Sequence, residues 1–355
     1  MIRRRTVLVS TGAALATLGV SAVTAGPRPA LLGDPQGDEG LATALRPHLR
    51  GQRRVAVALI DRDPGRDRLV RFGAEPEFEI GSITKTVSGA VLLSAVAQGA
   101  LSLTTTVGEL LPEARGSAVA DVQLRELASH SAGFPRLFAD LQRGALPAVL
   151  LRKDPYTMSP QEVLEAGLGV IPEGRGVGSY SNAGAAFCGQ LVLHTLGQDW
   201  ETAVAEHVTG PLGMGATRAP TTRDALGPAP RGVTAAGLPA EPWTMAGHAP
   251  TGNVRSTLED MVRYVRGMLE GSNPGARGLD AVASTREGDR HYAIAWVRER
   301  LRDRDLVWHN GGTGGYASFA GFDPARRTGV VILSDTAGDL PTALGRGLLS
   351  GEVTL

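Results

Sequence analysis

The chain has 355 residues, of which 42% are hydrophobic and 20% charged, and its basic and acidic side chains balance to a formal net charge of +0. That is enough for one large domain or two modest ones with a sizeable core, and the neutral balance gives no basic field of the kind nucleic acid binding requires. Cys188 is the only cysteine, which excludes an internal disulfide and a thiolate metal cluster.

The N-terminus reads as an export signal over residues 1–25. Arg3-Arg4-Arg5 precedes an apolar run from Val7 to Val20, and small residues up to Ala25 form a cleavage-like site. The arginines fit either a Sec or a twin-arginine signal. The apolar run is too short for a membrane span, and nothing later in the chain reaches that length. Residues 26–40, rich in Pro and Gly, read as a linker.

A helix is expected from Leu41 to Leu49. Strands are expected from Arg54 to Asp61 and from Arg68 to Phe72, joined as a hairpin. Next comes Phe78-Glu79-Ile80-Gly81-Ser82-Ile83-Thr84-Lys85, a short apolar lead-in to a Gly-Ser step. The helix after it, Ile83 to about Gln98, is apolar on almost every face, the mark of a buried helix. Ser82 falls in its first turn with Lys85 three residues on, so the two side chains share a face. A hydroxyl is a weak nucleophile until a base takes its proton, and a desolvated lysine can be that base. The helix N-terminus adds N–H groups that favour an oxyanion. Taken alone, Ser-x-x-Lys equally describes a capped helix with a surface lysine.

Short helices follow, one before Pro112 and one over Asp121–Ala128, and the apolar spacing stays helical to about Leu212. Loops interrupt it at 152–158 and 172–180. Residues 221–244, rich in Pro, Gly and Ala, read as a surface loop, and Ser256–Leu269 as a helix opened by a Ser256-Thr257-Leu258-Glu259 capping box. Strands are expected over His291–Arg298, Asp305–His309, Ser318–Phe322 and Gly329–Ser334, with a last helix over Leu340–Leu349.

Two later segments hold polar groups suited to assist Ser82. Tyr180-Ser181-Asn182 sits between a glycine-rich loop and a helix. There Tyr180, with its pKa lowered by a nearby ammonium, can accept or donate a proton, and Asn182 can bind both Lys85 and a substrate carbonyl. His309-Asn310-Gly311-Gly312 ends a strand, where glycines let a ligand lie against the backbone. The N–H of Gly312 is placed to be a second oxyanion donor beside that of Ser82. Structurally plainer readings are a helix N-cap for the first segment and a hairpin turn for the second.

In this order the three elements resemble the serine hydrolases that include class C β-lactamases, D-alanyl-D-alanine carboxypeptidases and related esterases. The similarity spans about Arg54 to Leu349. It extends to Leu124–Gly133, which is similar to the family's Leu-Leu-x-His-Thr-Ser-Gly segment, to Pro211-Leu212-Gly213-Met214 and to Gly321-Phe322-Asp323-Pro324. The resemblance implies an α+β sandwich: an antiparallel sheet built from both chain ends, about 41–100 and 280–350, with a helical lobe over about 101–279 in one catalytic domain, 41–350. It implies that Ser82 is acylated, that Lys85 or Tyr180 serves as base, and that Asn182, His309, Gly311 and Gly312 contact substrate. It implies no metal or organic cofactor and a small-molecule or peptide substrate, while the charge balance argues against nucleic acid and the short apolar runs against a membrane span once the signal is removed. His309 stands where the β-lactamase form has lysine. A histidine is largely neutral near pH 7, which favours ester, amide or peptide substrates over a penicillin carboxylate. Rivals are an acyl-transferase on the same fold and a non-catalytic penicillin sensor or cell-wall receptor. No His-x-x-x-His spacing, Gly-x-Ser-x-Gly elbow, phosphate loop or dinucleotide fingerprint is present.

Overall fold

A computed structural model of the protein describes residues 31–139, 141, 147–148, 150–286 and 288–355. The expected signal at 1–25 lies outside the described residues. Three strands come from the N-terminal part, β1 (Pro35–Gly37), β2 (Val55–Ile60) and β3 (Arg68–Phe72). A short pair, β4 (Phe78–Glu79) and β5 (Arg255–Ser256), stands apart from the main sheet. Six more strands close the chain: β6 (Ala283–Ser284), β7 (Arg290–Tyr292), β8 (Val297–Leu301), β9 (Arg304–Gly312), β10 (Ala317–Asp323) and β11 (Thr328–Ser334). The main sheet runs β1-β3-β2-β11-β10-β9-β8-β7-β6, and its neighbouring strands pair antiparallel. The two chain ends therefore meet at β2 and β11, where Leu59 stands opposite Val330 and Val57 opposite Ile332.

Both faces of this sheet are covered, so its central strands are apolar at successive positions rather than alternating with polar ones. On β2, Val55 and Val57 join Leu306, Trp308, Phe319 and Ile332 under the helices Glu39–Leu45 and Leu340–Ser350. Ala56, Ala58 and Ile60 point the other way, with Val307, Ala320, Phe322 and Val331, into the core shared with the helical lobe. The Ser82 helix, Thr84–Ala97, lies in that second core with Val87, Ala90, Val91, Leu92, Leu93 and Ala95 buried. Burial on several sides explains why it carries no polar stripe. Among the described residues no helix is long and apolar enough to cross a membrane.

Several boundaries differ from expectation. The linker holds an edge strand, β1, whose Gln36 stands opposite Arg71 on β3, and the first helix begins at Glu39 behind the cap Asp38. The helix expected over Asp121–Ala128 is confined to Leu124–Ala128. The capping box expected at Ser256 does not form, and a simple N-cap stands one residue on, at Thr257. Ser256 is committed to β5, Thr257 accepts the Asp260 N–H at 3.3 Å, and Glu259 pairs instead with Arg71 at 3.0 Å. The strand expected over His291–Arg298 breaks into β7 and β8, because Ala295 turns to positive φ and gives its N–H to the Ala128 carbonyl. The loop 221–244 is only partly a surface feature. Val233 is buried and hydrogen-bonds beyond the end of β11, to Asp335.

Candidate active site

Ser82 sits in a one-turn 3-10 segment, Gly81–Ile83, that feeds directly into the Thr84–Ala97 helix. β4 delivers the chain to that turn, and the Ile80 N–H bonds the Val254 carbonyl at 3.0 Å. Gly81 has φ +51, and a Cβ there would collide with the backbone of Gly311 and Gly312. A Cβ on Gly311 would in turn collide with the Ile80 carbonyl and the Ser318 hydroxyl, which donates to that carbonyl at 2.7 Å. The end of β9 thus lies directly on the nucleophile's turn, and only glycines permit the approach. This is what brings the backbone of Gly312 against the turn that carries Ser82.

Lys85 Nζ donates to Ser82 Oγ at 3.1 Å and to the Thr251 carbonyl at 2.8 Å. The side chain is buried, and no carboxylate pairs with it among the described residues. Burial, and then the Arg136 cation, hold its pKa well below the ordinary amine value. The ring of Tyr180 lies 5.2 Å from Nζ at its centroid. Burial pushes the Tyr180 phenol up to about 12, with the Ser82 hydrogen bond and Arg136 offsetting part of the rise. The expectation that a neighbouring ammonium lowers the Tyr180 pKa is therefore reversed. Burial lowers the Lys85 amine and raises the Tyr180 phenol, so both shifts favour the uncharged form of each group.

His309 and Asn182 depart from their expected contacts. By the pleat of β9, His309 shares a face with Val307 and points toward Lys85, while Asn310 points the other way and bonds Thr342 at 3.1 Å. His309 is 2% exposed, its ring centroid 6.2 Å from that of Tyr180. It lies behind the phenol rather than on the cleft surface. Burial, with Lys85 next, drives its pKa down to about 3. Its Nδ1 is 2.6 Å from the Asn310 carbonyl, an acceptor, so the proton of the neutral ring is on Nδ1 and Nε2 is left as a buried, unpartnered acceptor. Asn182 does line the cleft, but its Nδ2 donates to Tyr156 Oη at 3.4 Å, and its buried Oδ1 has no partner rather than meeting Lys85.

The cleft over Ser82 encloses about 570 Å³. Gly311, Gly312 and Asn310 form one wall, and Tyr180, Asn182 and Tyr156 another. Trp243, Met245 and Arg136 complete the lining near Ser82. None of these last three, nor Tyr156 or the Thr251 carbonyl, was singled out from the sequence. Met245 and Tyr156 are placed by Asp154, which accepts the N–H groups of Tyr156, Thr244 and Met245 at 3.0, 2.8 and 2.8 Å. A lone tryptophan in a Pro/Gly/Ala loop was a usable signal. A backbone carbonyl leaves none.

The family model for β-lactamase matches residues 41–353. The chain belongs to the β-lactamase family of serine hydrolases. Among curated relatives, a β-lactamase of Pseudomonas fluorescens is 23% identical over 73% of this chain and 79% of its own length. Penicillin-binding protein 4 of Amycolatopsis lactamdurans is 29% identical over 75% of this chain and 73% of its own. The class C β-lactamase of Rhodobacter sphaeroides superposes with a TM-score of 0.74 at 18% identity, covering 89% of this chain and 99% of that one. The β-lactamase/D-alanine carboxypeptidase of Pseudomonas syringae gives the same TM-score at 15% identity, over 89% and 100%. At those identities the two structures establish the shared fold, the β-lactamase-like α+β sandwich expected from the motifs. In this β-lactamase family member the Ser82–Lys85–Tyr180 cluster is assembled from two distant segments of chain, closed by a third at β9.

Proposed function

We propose that the protein is an exported serine hydrolase that opens amide, ester or β-lactam carbonyls through an acyl-enzyme on Ser82. The observation that carries this reading is the 3.1 Å contact between Ser82 Oγ and a buried Lys85 amine. Burial lowers the pKa of the amine, which favours its neutral form, and in that form its lone pair can take the hydroxyl proton. Ser82 Oγ then bonds the carbonyl carbon, and the negative oxygen rests between the N–H groups of Ser82 and Gly312. As the tetrahedral species collapses, the proton passes from Lys85 through the Tyr180 phenol to the leaving group. Water, activated by the same groups, attacks the acyl carbon and restores the Ser82 hydroxyl.

The neutral His309 supports a preference for ester, amide or peptide substrates, since β9 then presents no fixed cation at that position. The family relatives named as β-lactamase and penicillin-binding protein keep β-lactams and cell-wall peptides among the candidates. A fluorophosphonate probe tests the chemistry and the export together. It should label the wild type and Ser131→Ala but not Ser82→Ala, in the fraction outside the cytoplasm. Labelling that survives Ser82→Ala overturns the mechanism; labelled protein confined to the cytoplasm overturns the export. Relative kcat/KM on nitrocefin, a short p-nitrophenyl ester and a D-Ala-D-Ala peptide then ranks the substrates.

A further inference from the structure

Beyond Tyr180 lies a second groove of about 620 Å³, lined by Glu173, Gly178, Thr285, Arg286 and Tyr292 among others. Arg136 and Tyr180 line both cavities, so they form the partition between them. The Arg136 guanidinium carbon stands 5.3 Å from the Tyr180 ring centroid, a distance at which cation and ring attract and the fork is held in place. Its side chain is exposed, and among the described residues it meets no carboxylate within ion-pair distance. Nearby Arg175 is the contrast. Its guanidinium is engaged by Glu126 at 2.7 Å and Asp121 at 2.8 Å. Among the described residues the groove's lining holds two guanidinium groups, Arg136 and Arg286, against one carboxylate, Glu173.

We propose that this groove takes a carboxylate-bearing arm of the substrate, with Arg136 as the residue that holds the carboxylate. The inference rests on the Ser82 hydrolase reading and narrows it to extended substrates with an acidic arm. A guanidinium matches a carboxylate with two parallel N–H···O bonds, and a fork already stacked on an aromatic face loses less freedom on forming them. The site's anion-binding cation then stands on the Tyr180 wall, while β9 carries a neutral histidine where a lysine would have supplied it.

The test compares kcat/KM for p-nitrophenyl butyrate, the p-nitrophenyl monoester of adipic acid and 4-carboxyphenyl butyrate. These carry no carboxylate, one on the acyl arm, and one on the leaving group. For one of the two acidic esters, the ratio to the neutral ester should fall about tenfold or more in Arg136→Gln, the loss expected for a charge-assisted hydrogen bond, with partial recovery in Arg136→Lys. In the wild type that ratio should also fall as salt is added. Ratios equal in wild type and Arg136→Gln, or insensitive to salt, overturn the proposal. If the wild type neither reacts with fluorophosphonate at Ser82 nor turns over any of the esters, the hydrolase reading itself has failed, a result distinct from an unchanged ratio in an active enzyme.

Discussion

Two cations are buried on either side of the Ser82 turn, and they meet opposite fates. Lys85, 3% exposed, has a hydroxyl, a backbone carbonyl and aromatic rings around it. Arg255, 0% exposed, is held by Glu77 at 2.5 Å and Glu79 at 2.7 Å, and Arg218 closes on Glu77 from outside at 2.7 Å. Desolvation penalises both charges. With no acid to offset it, Lys85 falls well below its ordinary pKa; with two acids, Arg255 is raised above its own and stays charged. The ion-paired strut ties β4 to β5, and the Trp243 N–H joins it on Glu79 at 3.1 Å. One cluster is built to keep charge and hold the turn in place. The other is built to shed charge and act on the substrate.

Making Lys85 behave like Arg255 should produce the largest effect. Lys85→Arg puts a cation that cannot lose its proton at the base position, and kcat/KM should drop about 10²–10⁴-fold, the range of a lost general base. Folding should survive if the longer side chain is accommodated, which thermal melting reports. Activity within a few-fold of wild type would refute the neutral-amine mechanism. The converse change, Arg255→Met, leaves Glu77 to Arg218 but strands the buried Glu79 without an ion-pair partner. It should lower unfolding free energy in urea by about 3–5 kcal/mol, the cost of leaving a buried charge unpaired. A loss below about 1 kcal/mol, the ordinary value for an exposed pair, would show that the strut contributes no more than a surface bridge.

Parts of this contrast were open to reading in the chain, and parts were not. Ser82 and Lys85 declare themselves because helical spacing alone puts them together, inside a run of apolar residues that predicts burial and hence a neutral amine. The sheet was legible because its strands are apolar at consecutive positions between clear turns. Tyr180 and Gly312 depend on long-range convergence, which only the motif order suggested. The direction of the Tyr180 shift was misread because it hinges on which member of the pair keeps a proton. Desolvation acts on both, and the sequence does not show how deeply each is buried. The side of β9 on which His309 lies follows from register, set by its pairing with β10, where Ala320 stands opposite. Arg136 and Trp243 reach the cleft from loops, and Thr251 from the end of a short 3-10 turn, Ala246–Thr251, whose paths no periodicity encodes.

The smallest expected effect concerns pH and stability, and it extends the contrast to other groups near Lys85. His248 is 0% exposed, neither ring nitrogen has a hydrogen-bond partner among the described residues, and burial followed by Lys85 lowers its pKa from 6.5 to about 4. Among the described residues the rings of Phe138 and Tyr156 pack against it and Lys85 acts on it, and none of these is a carboxylate that would favour its charged form. Its pKa is depressed by folding, so the folded state binds fewer protons than the unfolded chain between those two values. The stability it contributes is complete above pH 6.5 and is lost as pH falls toward about 4. Replacing it with an apolar side chain of similar size, His248→Leu, should leave neutral-pH stability within about 1–2 kcal/mol and flatten the acid side of the curve. The slope of unfolding free energy against pH in that window should shrink by up to about 1.4 kcal/mol per pH unit, one proton's worth. His309, lowered to about 3 by the same causes, and His130 keep part of the slope in the variant, so the curve should soften without becoming level. Equal slopes in wild type and His248→Leu would mean that His248 is protonated in the folded state, and that buried groups near Lys85 retain charge after all.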